Sequence, residues 1–110
     1  MKNLNNEFLN NYFNNLKNLI GTIQIDELEK YFKLFKKVKK NKSKIMIFGN
    51  GAGASIASHV ATDFTKNAKV PAMSFDSSTY LTCLSNDYGY DKVVVKSINH
   101  FYKKNDLIIL

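Results

Sequence analysis

A run of large apolar residues, Lys44-Ile45-Met46-Ile47-Phe48, passes without a gap into Gly49-Asn50-Gly51-Ala52-Gly53-Ala54. Small and apolar residues at helical intervals then follow from Ser55 to Thr65. This order of buried strand, glycine-rich turn and helix commits the chain to an α/β architecture, because a strand buried on both faces needs helices to cover it. Two more apolar segments fit the same sheet: Val70 to Phe75, with Pro71 near its start where a missing N–H is tolerated, and Asp106 to Leu110. Helical patterns lie between them, a short one over Thr79 to Leu84 behind Asp76-Ser77-Ser78 and another from Tyr90 to Tyr102 with Val94, Val95, Ile98 and Phe101 inward. Alternation of strand and helix predicts an α/β fold with a parallel sheet.

Two helices precede it. Leu4, Phe8, Leu9, Tyr12, Phe13, Leu16, Leu19 and Ile20 recur at helical spacing with asparagines on the other face. Asparagine forms helices poorly, so this stripe needs something to pack against, in the domain or in another copy. A second helix starts near Asp26, with Glu29 three residues on, and runs to Val38. The expected division is residues 1–43 as a helical pair for packing or oligomerisation and residues 44–110 as the α/β part. At 110 residues there is room for one domain.

The net charge of +7 comes from one place: Lys30 to Lys44 contains eight lysines and no acid, and all sixteen basic residues are lysine. Bidentate reading of guanine or phosphate draws on arginine. The lysines therefore read as a solvated helix face, with no specific nucleic acid as partner. A single cysteine, Cys83, excludes an internal disulfide and a multi-thiolate metal site, and reads as a small core residue. No apolar run approaches the roughly 20 residues that cross a bilayer, and no signal peptide opens the chain. A cytoplasmic protein with no membrane partner is expected.

The glycine turn has a chemical reading. Backbone N–H groups of Gly51, Ala52 and Gly53 can converge on an anion at the positive end of the helix dipole, and phosphate is the natural guest. A P-loop requires Lys and Ser or Thr after its last glycine, whereas Ala54-Ser55 follow Gly53. A dinucleotide site would use Gly49, Gly51 and Ala54 with Asp76 as the ribose acid. His59 and Asp63, four apart on the helix that leaves the turn, share one face and can share a divalent metal.

Phe48-Gly49-Asn50-Gly51-Ala52-Gly53-Ala54, His59, and Leu84-Ser85-Asn86-Asp87-Tyr88-Gly89-Tyr90 together resemble the sugar-isomerase (SIS) domain family, and within it the sedoheptulose 7-phosphate isomerases. The resemblance covers nearly the whole chain, including the helical pair. It implies a parallel, doubly wound, Rossmann-like sheet of SIS type that binds a phosphorylated sugar, and a homotetramer in which the N-terminal helices pack between subunits. The implied reaction converts sedoheptulose 7-phosphate to D-glycero-D-manno-heptose 7-phosphate for surface polysaccharide. Substrate contacts would come from Asn50, Gly51, Ala52, Gly53, Ser55, Asp63, Asn86 and Asp87. Zinc would be held by His59 and Asp63, with its other ligands outside this chain, and Asp63 would move the proton where the family has Glu.

The same resemblance places the family's second phosphate loop just past Leu110, so the expectation is a sheet truncated after its third strand. A non-catalytic phosphosugar-binding module and a small dinucleotide-binding domain are the alternatives.

Overall fold

A computed structural model of the protein describes residues 6–110, so Leu4 of the first apolar stripe lies outside the described residues. Helices α1 (Asn6–Gly21) and α2 (Ile25–Lys40) are followed by β1 (Ile45–Ile47), α3 (Ala52–Asp63), a π-helical turn (Phe64–Ala68) and β2 (Ala72–Ser74). Then come α4 (Ser78–Tyr88), a 3-10 turn (Tyr90–Lys92), α5 (Val93–Phe101) and β3 (Leu107–Ile109). The three strands form one parallel sheet in the order β2-β1-β3. The chain leaves β1 for one neighbour and returns for the other. Right-handed crossovers then put α3 on one face and α4 with α5 on the opposite face, the doubly wound arrangement that the family resemblance implies.

β1 is central and fully covered, with Ile45 and Met46 at 0% exposure and Ile47 at 4%. Each such side chain removed from water contributes about 1.5–3 kcal/mol. Ile45 and Ile47 face a cluster with Ala57 and Ala61 of α3, Val38 of α2 and Val70. The alanines let α3 approach the sheet closely, and the rings of Phe35 and Phe64 close the cluster at 4.9 Å between centroids. A second aromatic group, Phe48 stacked on Phe75 at 4.5 Å with Tyr80 and Phe101 against Phe75, packs around the ends of β1 and β2.

Three details differ from the sequence expectation, the first being that α4 runs past Leu84 to Tyr88. The 3-10 turn resets the phase of α5, so Val93 and Ser97 are the buried positions while Val95 is exposed. Cys83 is also exposed, because α4 turns Leu84 inward and not its neighbour.

At the N-terminal end of the sheet one carboxylate ties β3 to β1. Asp106, with its side chain only 2% exposed, accepts from the Lys44 ammonium, from Lys44 N at 3.0 Å and from Lys103 N at 2.7 Å. Burial alone would raise its pKa, but the Lys44 ammonium, the two backbone N–H groups and the lysine charge outweigh it, and the carboxyl is held below its ordinary range. The outer edge of β2 is covered differently: Thr65 Oγ1 accepts from Ala72 N at 3.1 Å and donates to Ala72 O at 3.3 Å.

The chain separates into two compact units within α2. Residues 34–110 form the unit just described. In the unit that ends at Lys33, no residue of α1 is buried, and Phe8, Phe13, Leu19 and Ile20 are 63%, 62%, 65% and 59% exposed. No helix among the described residues is long and apolar enough to cross a membrane.

The glycine turn rests on a close backbone approach: a Cβ on Gly49 would lie 2.2 Å from Gly53 O, whereas one on Gly53 would meet nothing within 4 Å. Gly49→Ala is therefore expected to cost at least about 3 kcal/mol or to prevent folding. Gly53→Ala should be neutral or stabilising by up to about 1 kcal/mol, since it replaces glycine within a helix. Urea denaturation of the two variants distinguishes these outcomes, and equal behaviour would contradict the geometry.

Asp106 sets a pH dependence. Its folded pKa is depressed, so its stabilisation is complete above the unfolded value of about 3.9 and disappears as pH falls through the lower folded value. Asp106→Asn should cost about 3 kcal/mol at neutral pH and flatten that acid limb of the stability curve. Denaturation midpoints at pH 7 and pH 3 for both proteins provide the check.

Candidate functional site

The glycine turn lies at the carboxyl ends of the parallel strands, the edge where open α/β sheets bind ligands. Phe48 N donates to Ile109 O at 2.9 Å, which keeps the chain on the sheet until the turn begins. Gly51 then adopts φ 55° and ψ −125°, a backbone conformation restricted to glycine, and α3 starts at the next residue. Gly53 N donates to Asn50 O at 2.9 Å and Ala54 N to Gly51 O at 3.0 Å. One of the three amides expected to converge on an anion, that of Gly53, is thus bonded within the turn. The amides of Gly51 and Ala52 remain at the positive end of α3.

Two separate recesses, each of about 360 Å³, adjoin this turn and α3. The first is mostly apolar, lined by Phe48, Gly49, Asn50, Phe75, Tyr90 and Val94 among others. Its polar features are a hydrogen bond of 2.9 Å from the Tyr90 hydroxyl to Asn50 Oδ1 and the carboxylate of Asp91. The second recess is polar and is lined by Ser55, Ser58, His59, Thr62 and Asp76. Asp76 accepts from the Ser74 hydroxyl at 2.6 Å. That bond above all holds its pKa below the ordinary carboxylate value against a small opposing effect of burial, with its own backbone N–H and the Ser58 hydroxyl assisting. A fixed negative charge in this recess suits a cation or sugar hydroxyls and opposes phosphate, which the turn suits better.

His59 and Asp63 do meet across one turn of α3, with Nε2 3.4 Å from Oδ2 and side chains 80% and 52% exposed. Asp63 Oδ1 also accepts from Asn67 Nδ2 at 3.1 Å. Two donors about 3.3 Å apart span one edge of a tetrahedral zinc site with bonds of about 2.0–2.1 Å, so the pair fits as half of such a site. Among the described residues no group of three or more His, Cys, Asp or Glu side chains could hold a metal ion.

The remaining candidates lie elsewhere. Asn86 and Asp87 occupy the last turn of α4, where Asn86 Nδ2 donates to Asp87 Oδ1 at 3.1 Å and Cys83 Sγ lies 3.8 Å from Asp87 Oδ2. Neither lines the recess that holds Asn50. The residue of that second motif that reaches the glycine turn is Tyr90, and in the polar recess Ser58 and Thr62 join Asp76. Nothing in the spacing announces Tyr90, which is 40 residues from Asn50. Ser58 and Thr62 could be read from the helical period that links them to His59.

The chain matches no protein-family model. It is 37% identical over 98 residues to a phosphoheptose isomerase of Aliarcobacter butzleri, covering 83% of this chain and 51% of that protein. It is 40% identical over 76 residues to a phosphoheptose isomerase of Helicobacter pylori, covering 64% of this chain and 40% of the relative. The structure of phosphoheptose isomerase GmhA from Neisseria gonorrhoeae superposes with a TM-score of 0.81 at 25% identity, over 94% of this chain and 58% of that one. The chain spans about half the length of the curated relatives it matches. The glycine turn between β1 and α3, the parallel doubly wound sheet and these likenesses agree: the chain is a homologue of the phosphoheptose isomerases over about half of their length, with the sugar-isomerase (SIS) fold.

Proposed function

We propose that the chain supplies the phosphosugar-binding half of a phosphoheptose isomerase, which converts sedoheptulose 7-phosphate to D-glycero-D-manno-heptose 7-phosphate for surface polysaccharide. The observation that carries this reading is the glycine turn, with its two remaining amides at the N-terminus of α3, in a chain 37% identical to a protein of that name. The turn receives the phosphate, and the sugar extends along α3 toward His59 and Asp63.

The reaction moves hydrogen between neighbouring carbons. A carboxylate takes the proton from C1 beside the C2 carbonyl, an acid protonates the carbonyl oxygen, and the resulting enediol takes a proton at C2 as the C1 hydroxyl proton leaves. Asp63, whose exposed side chain contacts His59 and Asn67, would act as that base. His59 and Asp63 would hold zinc, which when bound stabilises negative charge on the substrate oxygens. Further ligands to that zinc are not among the described residues. Dinucleotide binding has less support, since Asp76 is engaged by Ser74 and Ser58 and shares a recess with His59.

A second reading, a phosphosugar-binding module without turnover, is favoured by one observation: the substrate-contact candidates do not converge in a single cavity. Both readings place the protein in the cytoplasm, where a reduced single cysteine is at home. Both also use α1 as a packing surface between copies, supported by its exposed apolar stripe. Replacing Phe8, Phe13 and Leu19 with serine is expected to convert an oligomer to a monomer in light scattering; a wild-type monomer would remove the idea.

The functional test is turnover of sedoheptulose 7-phosphate, with and without added zinc, beside calorimetric binding of the same sugar phosphate. Isomerisation that rises with zinc and falls at least tenfold in His59→Ala or Asp63→Asn supports the enzyme. Binding without turnover supports the module, and neither binding nor turnover rejects both readings.

A further inference from the structure

We infer that Tyr90 is a positioning residue that fixes which end of the Asn50 side chain faces a bound ligand. Tyr90 opens the 3-10 turn immediately after α4 closes, Gly89 N bonding to Ser85 O at 3.0 Å. From there its ring reaches back to the glycine turn, and its hydroxyl donates to Asn50 Oδ1 at 2.9 Å. Both residues line the same apolar recess of about 360 Å³.

An asparagine amide has an accepting oxygen and a donating NH₂ that rotation about one bond exchanges. With Oδ1 occupied by the phenol, the two Nδ2 hydrogens are what Asn50 offers. The turn itself then offers chiefly donors, the amides of Gly51 and Ala52 from the backbone and Nδ2 from the side chain, while the Asp91 carboxylate lines the same recess as an acceptor. At Asn50 this favours an oxygen that carries no hydrogen, a phosphoryl or carbonyl oxygen, and leaves hydroxyls of the same ligand to Asp91. The phenol is anchored by its own element, since Val93 directly after the 3-10 turn is 4% exposed. This also assigns a role to the Leu84 to Tyr90 motif that does not require Asn86 or Asp87 to reach the turn. The inference rests on the reading of the glycine turn as the phosphosugar site, and it adds the chemical class of the atom that Asn50 contacts.

The experiment uses the full chain labelled with 15N, sedoheptulose 7-phosphate as the probe, and the variants Tyr90→Phe and Asn50→Asp. Phenylalanine keeps the ring and removes the hydroxyl. In Tyr90→Phe the Asn50 side-chain NH₂ resonances are expected to move while the backbone amides of α3 and the thermal midpoint stay in place. Affinity should fall about three- to tenfold, the range for one neutral hydrogen bond. Asn50→Asp retains an acceptor for the phenol but loses the donor and adds a negative charge, so binding should fall by more than tenfold.

Unmoved Asn50 resonances in Tyr90→Phe overturn the positioning, as does an Asn50→Asp variant that binds as well as wild type. If the wild-type chain does not bind the sugar phosphate, the functional reading fails and takes the ligand contact with it. The side-chain resonances still decide separately whether Tyr90 orients the amide.

Discussion

The fold is organised around a contact with no side chain in it, the approach of the Gly49 backbone to the carbonyl of Gly53. A strand buried on both faces has to end somewhere, and its exit is where covering helices compete for space. With hydrogen alone on the Gly49 Cα, α3 begins directly above the end of β1. Two consequences follow from that placement. Ala57 and Ala61 fall against Ile45 and Ile47 and close the core, and the N-terminus of α3 sits beside the glycine turn at the carboxyl edge of the sheet. Packing and ligand chemistry therefore share one geometric condition, and a side chain at this position removes both together.

Opposite ends of the sheet carry opposite tasks. At the carboxyl ends lie the glycine turn, the Asn50 and Tyr90 pair and the polar recess of His59 and Asp76. At the amino ends, Asp106 gathers Lys44 and the Lys103 backbone into a buried knot that registers β3 against β1. Removing one partner of such a pair leaves the other charge in a poorly solvated place. Integrity of the sheet thus depends on charge at one end, while the chemistry at the other end depends on polar groups that are open to solvent. The two can be perturbed separately.

How far the sequence foretold this depends on the range over which each feature is encoded. β1, the turn and α3 are legible because the hydrophobic period changes within a few residues and each element is local. The meeting of His59 with Asp63 follows from helical spacing alone. The phase of α5 does not, because the 3-10 turn at Tyr90 consumes residues at a different pitch before the helix begins. Exposure of Cys83 beside buried Leu84 likewise depends on which side of α4 finds the sheet. Asp106 reads in the sequence as the polar start of a strand, and only its pairing with Lys44, 62 residues away, shows that it is buried. The bond between Tyr90 and Asn50 is invisible for the same reason: two loops are brought together by a sheet whose strand order no local pattern encodes.

The edges of that sheet are not equivalent. The Thr65 hydroxyl occupies the outward N–H and C=O of Ala72, so at that residue of β2 a side chain does the work of a neighbouring strand. Among the described residues no side-chain bond of that kind covers the outer edge of β3. An edge partly engaged in this way is less open to a further strand than a bare one. The β3 flank is therefore the more open of the two, with β1 held between two neighbours at the centre.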